Sequence, residues 1–263
     1  MNEEFYIGWQ AAAPAGIART IRKAVLILAL AVAVIPVLLV SFEKPFSTGV
    51  FEFGKYTELE GVLSLRPAPF LQIGPGKQVL LLGPGKTGAD SVLSGLGRKF
   101  GTTPDGKRVK LGGYLIYHDG KTAMELENDP DGWTLYGTPG AAPVQPTRLG
   151  AATLCGELTD PKCFLGVMKP GEGKPHRACS VRCVAGGIPP VLKVTGPGGE
   201  SEYYLIAGPG GAPANRFVLP YMADAVRITG RLEQQNDWLV LYCNPDSIER
   251  IDAWRLNPGP ICH

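Results

Sequence analysis

The stretch QVLLLGPG at residues 78–85 indicates the architecture, because the chain repeats its pattern as YYLIAGPG at residues 203–210. Each run is an apolar strand that ends in a Gly-Pro-Gly turn. In both regions a strand with a central glycine precedes the run, and a V-x-[LI]-x-G strand with its hairpin partner follows it. The alternating apolar residues of the V-x-[LI]-x-G strands predict one packed face on each strand. A duplicated structural unit explains this agreement economically.

Short strands with internal glycines are typical of small barrels, because glycine permits the sharp bends that barrel corners need. Five such strands in each repeat indicate an OB-like Greek-key barrel. Asp119-Gly120 and Asn236-Asp237 supply the residues that hairpin turns prefer. We therefore predict an all-β protein in which a first barrel at 43–137 and a second at 151–252 are joined by a Gly/Pro-rich linker at 138–150.

A charge-free apolar run begins at Ala24 and ends at Val40, within a predicted transmembrane helix at residues 19–42. A helix of this length crosses roughly 30 Å of hydrocarbon. The run exceeds the apolar region of a usual signal peptide, and no A-x-A-like cleavage site follows it. We expect an uncleaved single-pass anchor, with a cleaved signal peptide as the alternative.

Charges beside the apolar run predict its orientation. Arg19, Arg22 and Lys23 directly precede the run, whereas Glu43 and Lys44 cancel after it. By the positive-inside rule, the N-terminal segment at 1–18 is expected to be cytoplasmic. The barrels are then expected in the periplasm, on the outer face of a bacterial inner membrane.

Composition and motifs argue against several function classes. The formal net charge is only +2, without a basic cluster, so nucleic acid is not an expected partner. With three histidines and no G-x-S-x-G motif, the chain shows no machinery for nucleophilic or acid–base catalysis, and we predict that it is not an enzyme. The GPGKT sequence at 83–87 lacks the first glycine of a phosphate-binding loop, because Leu80 stands there.

All six cysteines follow the predicted anchor, which suits an oxidising compartment where disulfides persist. They are Cys155, Cys163, Cys179, Cys183, Cys243 and, in a C-terminal tail at 253–263, Cys262. Cys155 and Cys243 lie in the predicted first and last strands of the second barrel, which are often neighbours, so a structural bridge is expected between them. A second bridge would join Cys163 to Cys179 or Cys183.

A metal or redox site is the alternative for the second group of cysteines. Cys179 and Cys183 are spaced i, i+4, so a helical turn at about 176–184 would place them on one face, with His176 one turn earlier. Cys163 could join from the preceding loop. Three thiolates and an imidazole suit tetrahedral zinc, and a softer set that includes Met168 suits copper.

The cysteine-rich region contains three linked motifs. They read D-x-K-C at 160–163, M-K-P-G-x-G-x-x-H-R-x-C-x-x-x-C at 168–183 and G-G-I-P-P at 186–190. This pattern resembles a family of uncharacterised bacterial exported or membrane-anchored OB-like proteins. The resemblance covers roughly residues 55–250, most specifically 156–190. It implies a fold and a location in the cell envelope, but it carries no activity.

The chain is also similar, over few residues, to accessory polypeptides of photosynthetic reaction-centre and light-harvesting complexes. That similarity and the anchor predict a non-catalytic periplasmic accessory subunit that stabilises a larger photosynthetic or respiratory membrane complex. Its expected partners are integral membrane subunits and lipid, and no cofactor is required. The alternative is a periplasmic metal-binding or thiol-redox protein that uses Cys163, His176, Cys179 and Cys183 with zinc or copper. Small-molecule binding in the barrel mouths is a third possibility.

Overall fold

The computed structural model describes residues 13–42, 48–128, 132–139 and 145–252. An N-terminal apolar helix is followed by two small β-barrels, which confirms the predicted fold class. Most of the predicted cytoplasmic segment and the whole tail at 253–263, with Cys262, lie outside the described residues.

Helix α1, Ala15–Phe42, begins ahead of the predicted start at Arg19 and ends at the predicted residue. Its 28 residues correspond to a length of about 42 Å at 1.5 Å per residue. None of its residues is buried, and it is long and apolar enough to cross a membrane. The described residues from 48 to 252 form a separate compact unit.

The first barrel closes in the strand order β1-β2-β3-β5-β4, with β4 pairing back onto β1. All of these neighbours are antiparallel except β3 and β5, which are parallel. A further strand, β6, extends the sheet beside β4, and helix α2 lies between β3 and β4. The elements are β1 Val50–Ser64, β2 Phe70–Gly74, β3 Lys77–Leu82, α2 Asp90–Phe100, β4 Lys107–His118, β5 Lys121–Leu126 and β6 Thr134–Pro139.

The second barrel repeats this topology in the order β7-β8-β9-β11-β10, and β9 and β11 are its parallel pair. Its main addition is a π-helical turn and a helix, α3, between the first two strands. The elements are β7 Thr147–Thr159, the π-turn Cys163–Val167, α3 Gly173–Ala185, β8 Val191–Thr195, β9 Ser201–Ala207, a 3-10 turn Pro209–Gly211, α4 Asn215–Val218, a 3-10 turn Leu219–Tyr221, β10 Ala225–Gln235 and β11 Trp238–Arg250.

Two sequence signals of the repeat have clear physical causes. Gly61 on β1 and Gly156 on β7 occupy equivalent positions, where a Cβ atom would lie 2.3 Å from a carbonyl oxygen of the neighbouring strand. The hairpin residues Asp119 and Asn236 have φ values of 46° and 52°. These left-handed conformations are the ones that two-residue hairpins require. The predicted hairpin turns are therefore confirmed, and the two strand glycines are explained by the close approach of the neighbouring strand.

Each barrel has a hydrophobic core of its own, and a third buried cluster takes residues from both barrels. In one buried cluster, Phe70 of β2 packs against Trp238 of β11, with ring centroids 5.6 Å apart. The Tyr203 hydroxyl of β9 also donates to the Asp119 carboxylate in the first barrel, at 2.7 Å. Strand β6 reaches Pro139 and β7 begins at Thr147, both inside the range predicted as a linker. The barrels thus form one body with a seam between them.

Candidate metal centre

Three cysteine side chains of the second barrel meet beside the seam. Cys163 begins the π-turn after β7, and Cys179 and Cys183 lie one helical turn apart on α3. Their Sγ atoms all lie within 4.8 Å of one another, and those of Cys163 and Cys179 are 3.8 Å apart. Sulfur atoms that share a tetrahedral ion at about 2.3 Å are separated by about 3.8 Å. The three thiols, all free, have the spacing of a metal–thiolate centre.

Hydrogen bonding makes the two buried thiols unequal. The bond between Cys163 and Cys183 lowers the pKa of Cys183, because the Cys163 thiol donates to it. The same bond, together with burial, raises the pKa of Cys163.

The predicted fourth ligand, His176, is fully buried but forms a different group. Its Nε2 atom lies 2.9 Å from the Asp160 carboxylate, and its ring, Asp160 and Cys163 have ligand atoms within 4.8 Å of one another. Asp160 also accepts the backbone N–H of Cys163, at 2.9 Å. The His176 Nδ1 atom has no hydrogen-bond partner among the described residues. A carboxylate on one ring nitrogen is the usual support of a metal-binding histidine, and this arrangement leaves Nδ1 as the ring nitrogen that could bind an ion.

A lysine from the first barrel reaches the thiols across the seam. Lys86 lies in the turn at 83–87, and its Nζ atom donates to the Cys179 sulfur at 2.7 Å. This bond raises the pKa of Lys86 and keeps its ammonium group charged. The GPGKT sequence, which does not complete a phosphate-binding motif, thus supplies a positive charge beside a thiol.

A second lysine holds that turn in place. Lys162 is buried, and its Nζ atom donates to the carbonyl oxygens of Gly83 and Gly85 at 2.9 and 2.5 Å. It also pairs with Glu125 at 3.0 Å, while Glu125 accepts the Gly85 N–H at 3.0 Å. Because Lys162 directly precedes Cys163, the D-x-K-C motif supplies both a thiol and the clamp that positions Lys86. No role was predicted for Asp160, Lys162 or Lys86, although the motif contains the first two.

Asp224 fixes the helix that carries two of the thiols. Its carboxylate accepts from Lys174 and from Arg177 of α3, the latter at 3.0 Å, and from Arg250 of β11 at 2.9 Å. Burial raises the pKa of Asp224, but the bonds from Lys174 and Arg250 outweigh it and hold the pKa below the ordinary value of 3.8. The ionised carboxylate therefore links α3 to the barrel.

The variant Asp224→Asn is expected to lose about 1–2 kcal/mol of unfolding free energy at neutral pH, because three partly exposed cations lose their anion. A lowered folded-state pKa contributes stability above the unfolded value of 3.8, and that stability disappears as the pH falls through the folded-state pKa. Guanidinium unfolding at several pH values should show that the difference in unfolding free energy between the variant and the wild type becomes smaller in acid. Asp246→Asn, an exposed carboxylate on β11, is the control. A difference that does not change with pH would contradict this role.

Met168 contributes a fourth sulfur to the neighbourhood. Its Sδ atom lies 3.5 Å from the Cys179 Sγ atom, at the end of the π-turn. This is the residue whose inclusion would suit copper. The structure brings it to the thiols, whereas His176 pairs with Asp160.

Neither of the two predicted disulfides is formed. Cys163, Cys179, Cys183 and Cys243 all carry free thiols. The expected bridge between Cys155 and Cys243 was wrong because β10 lies between their strands, β7 and β11. Two strands that flank a third are about 10 Å apart, whereas bridged Cα atoms lie within about 7 Å. Burial of Cys243 in the second barrel raises its pKa to about 11.

No protein-family model matches the chain, and no curated protein or solved structure matches it either.

Proposed function

We propose that this chain is a membrane-anchored periplasmic protein that binds a soft transition-metal ion, zinc or copper, through Cys163, Cys179 and Cys183. The observation that carries the proposal is the convergence of three free sulfur atoms within 4.8 Å. Disulfide formation would satisfy two of these thiols and leave the third, whereas one ion satisfies all three. Thiolates also suit zinc and monovalent copper better than magnesium or calcium.

The charges around the thiols support an ion at this place. Three thiolates would put like charges in a partly buried site, which is costly without compensation. A bound cation supplies most of that compensation, and Lys86 adds a further positive charge at Cys179. The proposed role of Lys86 is to offset charge, because an ammonium group has no lone pair with which to bind a metal.

Metal content tests the proposal directly. The full chain, purified anaerobically in mild detergent, should carry about one zinc or copper ion by elemental analysis. Thiol titration of the native protein should then show Cys163, Cys179 and Cys183 protected, and a chelator should release them. Metal-free protein whose thiols all react, and which takes up neither ion on reconstitution, would rule the function out.

The proposed location rests on α1 and the basic residues that begin at Arg19. We expect a phosphatase reporter fused after residue 252 to be active, because the body would be delivered to the periplasm. The same fusion made with a β-galactosidase reporter should be inactive. The reverse pattern in the two fusions would contradict the proposed topology.

An accessory role in a membrane complex is a second candidate function. It is supported by the exposed apolar surface of α1, on which Ala29 and Ala33 form a small-x-x-x-small pair that lets helices approach closely. We propose that α1 packs against integral membrane subunits of a photosynthetic or respiratory complex. Purification from native membranes should yield a stoichiometric complex, and Ala29→Leu should release the chain from it. A free monomer in the mildest detergent would count against this role.

A further inference from the structure

The four sulfur atoms of the site are graded by exposure. Met168 is 42% exposed and Cys179 is partly buried, whereas Cys163 and Cys183 are 3% and 1% exposed. The Met168 Sδ atom lies 3.5 Å from Cys179, and Cys179 in turn lies 3.8 Å from Cys163. An ion that arrives from solvent therefore meets a thioether first, then the outermost thiol, and finally the buried pair.

The ligands at the exposed end distinguish between the two candidate ions. A thioether is a soft, uncharged ligand that binds monovalent copper well, whereas zinc favours thiolate, imidazole and carboxylate ligands. Lys86 presents a charged ammonium group to Cys179 and offers no ligand atom. His176 bonds Asp160 through one ring nitrogen and is buried, so it does not lie on the exposed side of the three thiols. An ion that approaches the three cysteines from their partly exposed side thus meets sulfur ligands.

We propose that the ion is monovalent copper and that Met168 is the ligand through which it enters and leaves the site. This inference rests on the proposed function. The step is a ligand exchange in which a bond from copper to the Met168 sulfur forms as a bond to the donor molecule breaks. Copper then moves to the three thiols, each of which gives its proton to water on binding. Copper keeps its single positive charge, so the step needs neither an oxidant nor a reductant.

The test compares both ions in the full chain and two variants, in detergent and without oxygen. Met168→Leu removes the sulfur but keeps a similar volume at an exposed position. Met222→Leu is the matched control, because Met222 is fully buried in the second barrel's own core. Affinity and transfer rate are measured for copper(I) by competition with a coloured copper(I) chelator, and for Zn²⁺ by competition with a zinc chelator.

Met168→Leu is expected to weaken copper(I) binding or slow its transfer about tenfold, the scale at which supporting groups usually affect metal sites, while Zn²⁺ binding changes less than about twofold. Met222→Leu should change neither ion. Equal effects of Met168→Leu on both ions, or no effect on copper, would overturn the inference and leave the proposed function standing. A wild-type chain that binds neither ion would overturn both.

Discussion

Replacing Cys163 with serine is expected to abolish stoichiometric metal binding. Cys163 lies within 4.8 Å of both other thiols, and its sulfur is 3.8 Å from that of Cys179. A hydroxyl group is a poor ligand for zinc or copper, so the variant keeps only two thiolates. Because a four-ligand structural zinc site binds with about 10–16 kcal/mol, one ligand corresponds to a loss of about 100- to 1,000-fold in affinity. Competition titration of the reconstituted protein measures this loss.

Cys243→Ser provides a control of the same chemistry. Cys243 is also a free, buried thiol, but it belongs to the separate core of the second barrel. Both variants bury a hydroxyl group in place of a thiol and should lose a similar amount of stability, about 1–3 kcal/mol. Only Cys163→Ser should lose the metal. If both variants bind the ion as tightly as wild type, the three-thiol site is not the metal centre.

Replacing Lys162 with methionine is expected to lower the unfolding free energy by about 3–5 kcal/mol, because it breaks a buried ion pair and leaves one charge without its partner. The ammonium group of Lys162 bonds two carbonyl oxygens and Glu125, and its side chain is only 3% exposed. Methionine has a similar length but no hydrogen-bond donor. Guanidinium unfolding followed by fluorescence of the buried Trp238 measures the change.

Lys55→Met is the matched control for this effect. Lys55 pairs with Glu52, but its side chain is 70% exposed, so its loss should leave the unfolding free energy nearly unchanged. Lys162→Met should also displace the turn that carries Lys86, so copper or zinc binding should weaken without the loss of a thiol. A stability change as small as that of Lys55→Met would show that Lys162 does not clamp the two barrels.

Much of the architecture follows from local patterns in the sequence. The apolar run from Ala24 to Val40 predicts a helix because its length and lack of charge are visible without any partner. The two barrels follow from a repeated order of strands, and the hairpin turns follow from the backbone preferences of Asp119 and Asn236. The convergence of Cys179 and Cys183 on α3 follows from helical spacing alone.

Local patterns in the sequence did not reveal which residues from different elements become neighbours in space. Whether β7 lies beside β10 or β11 depends on how the barrel closes, and this decided against the bridge between Cys155 and Cys243. The pairing of His176 with Asp160 likewise depends on where β7 delivers its last residues relative to α3. Spacing within α3 could place His176 on the helix, but it could not reveal a competing carboxylate from another element.

The sequence by itself thus determined the elements of this protein, an apolar helix and two glycine-bent barrels, because periodicity and turn preferences act between residues close in the chain. Only the tertiary structure decided that one buried cluster joins the two barrels and that Lys86 of the first barrel meets Cys179 of the second. The two residues are 93 positions apart, and burial of Lys162 between them holds the contact in place. Such contacts arise from the packing of whole barrels, which no local pattern encodes.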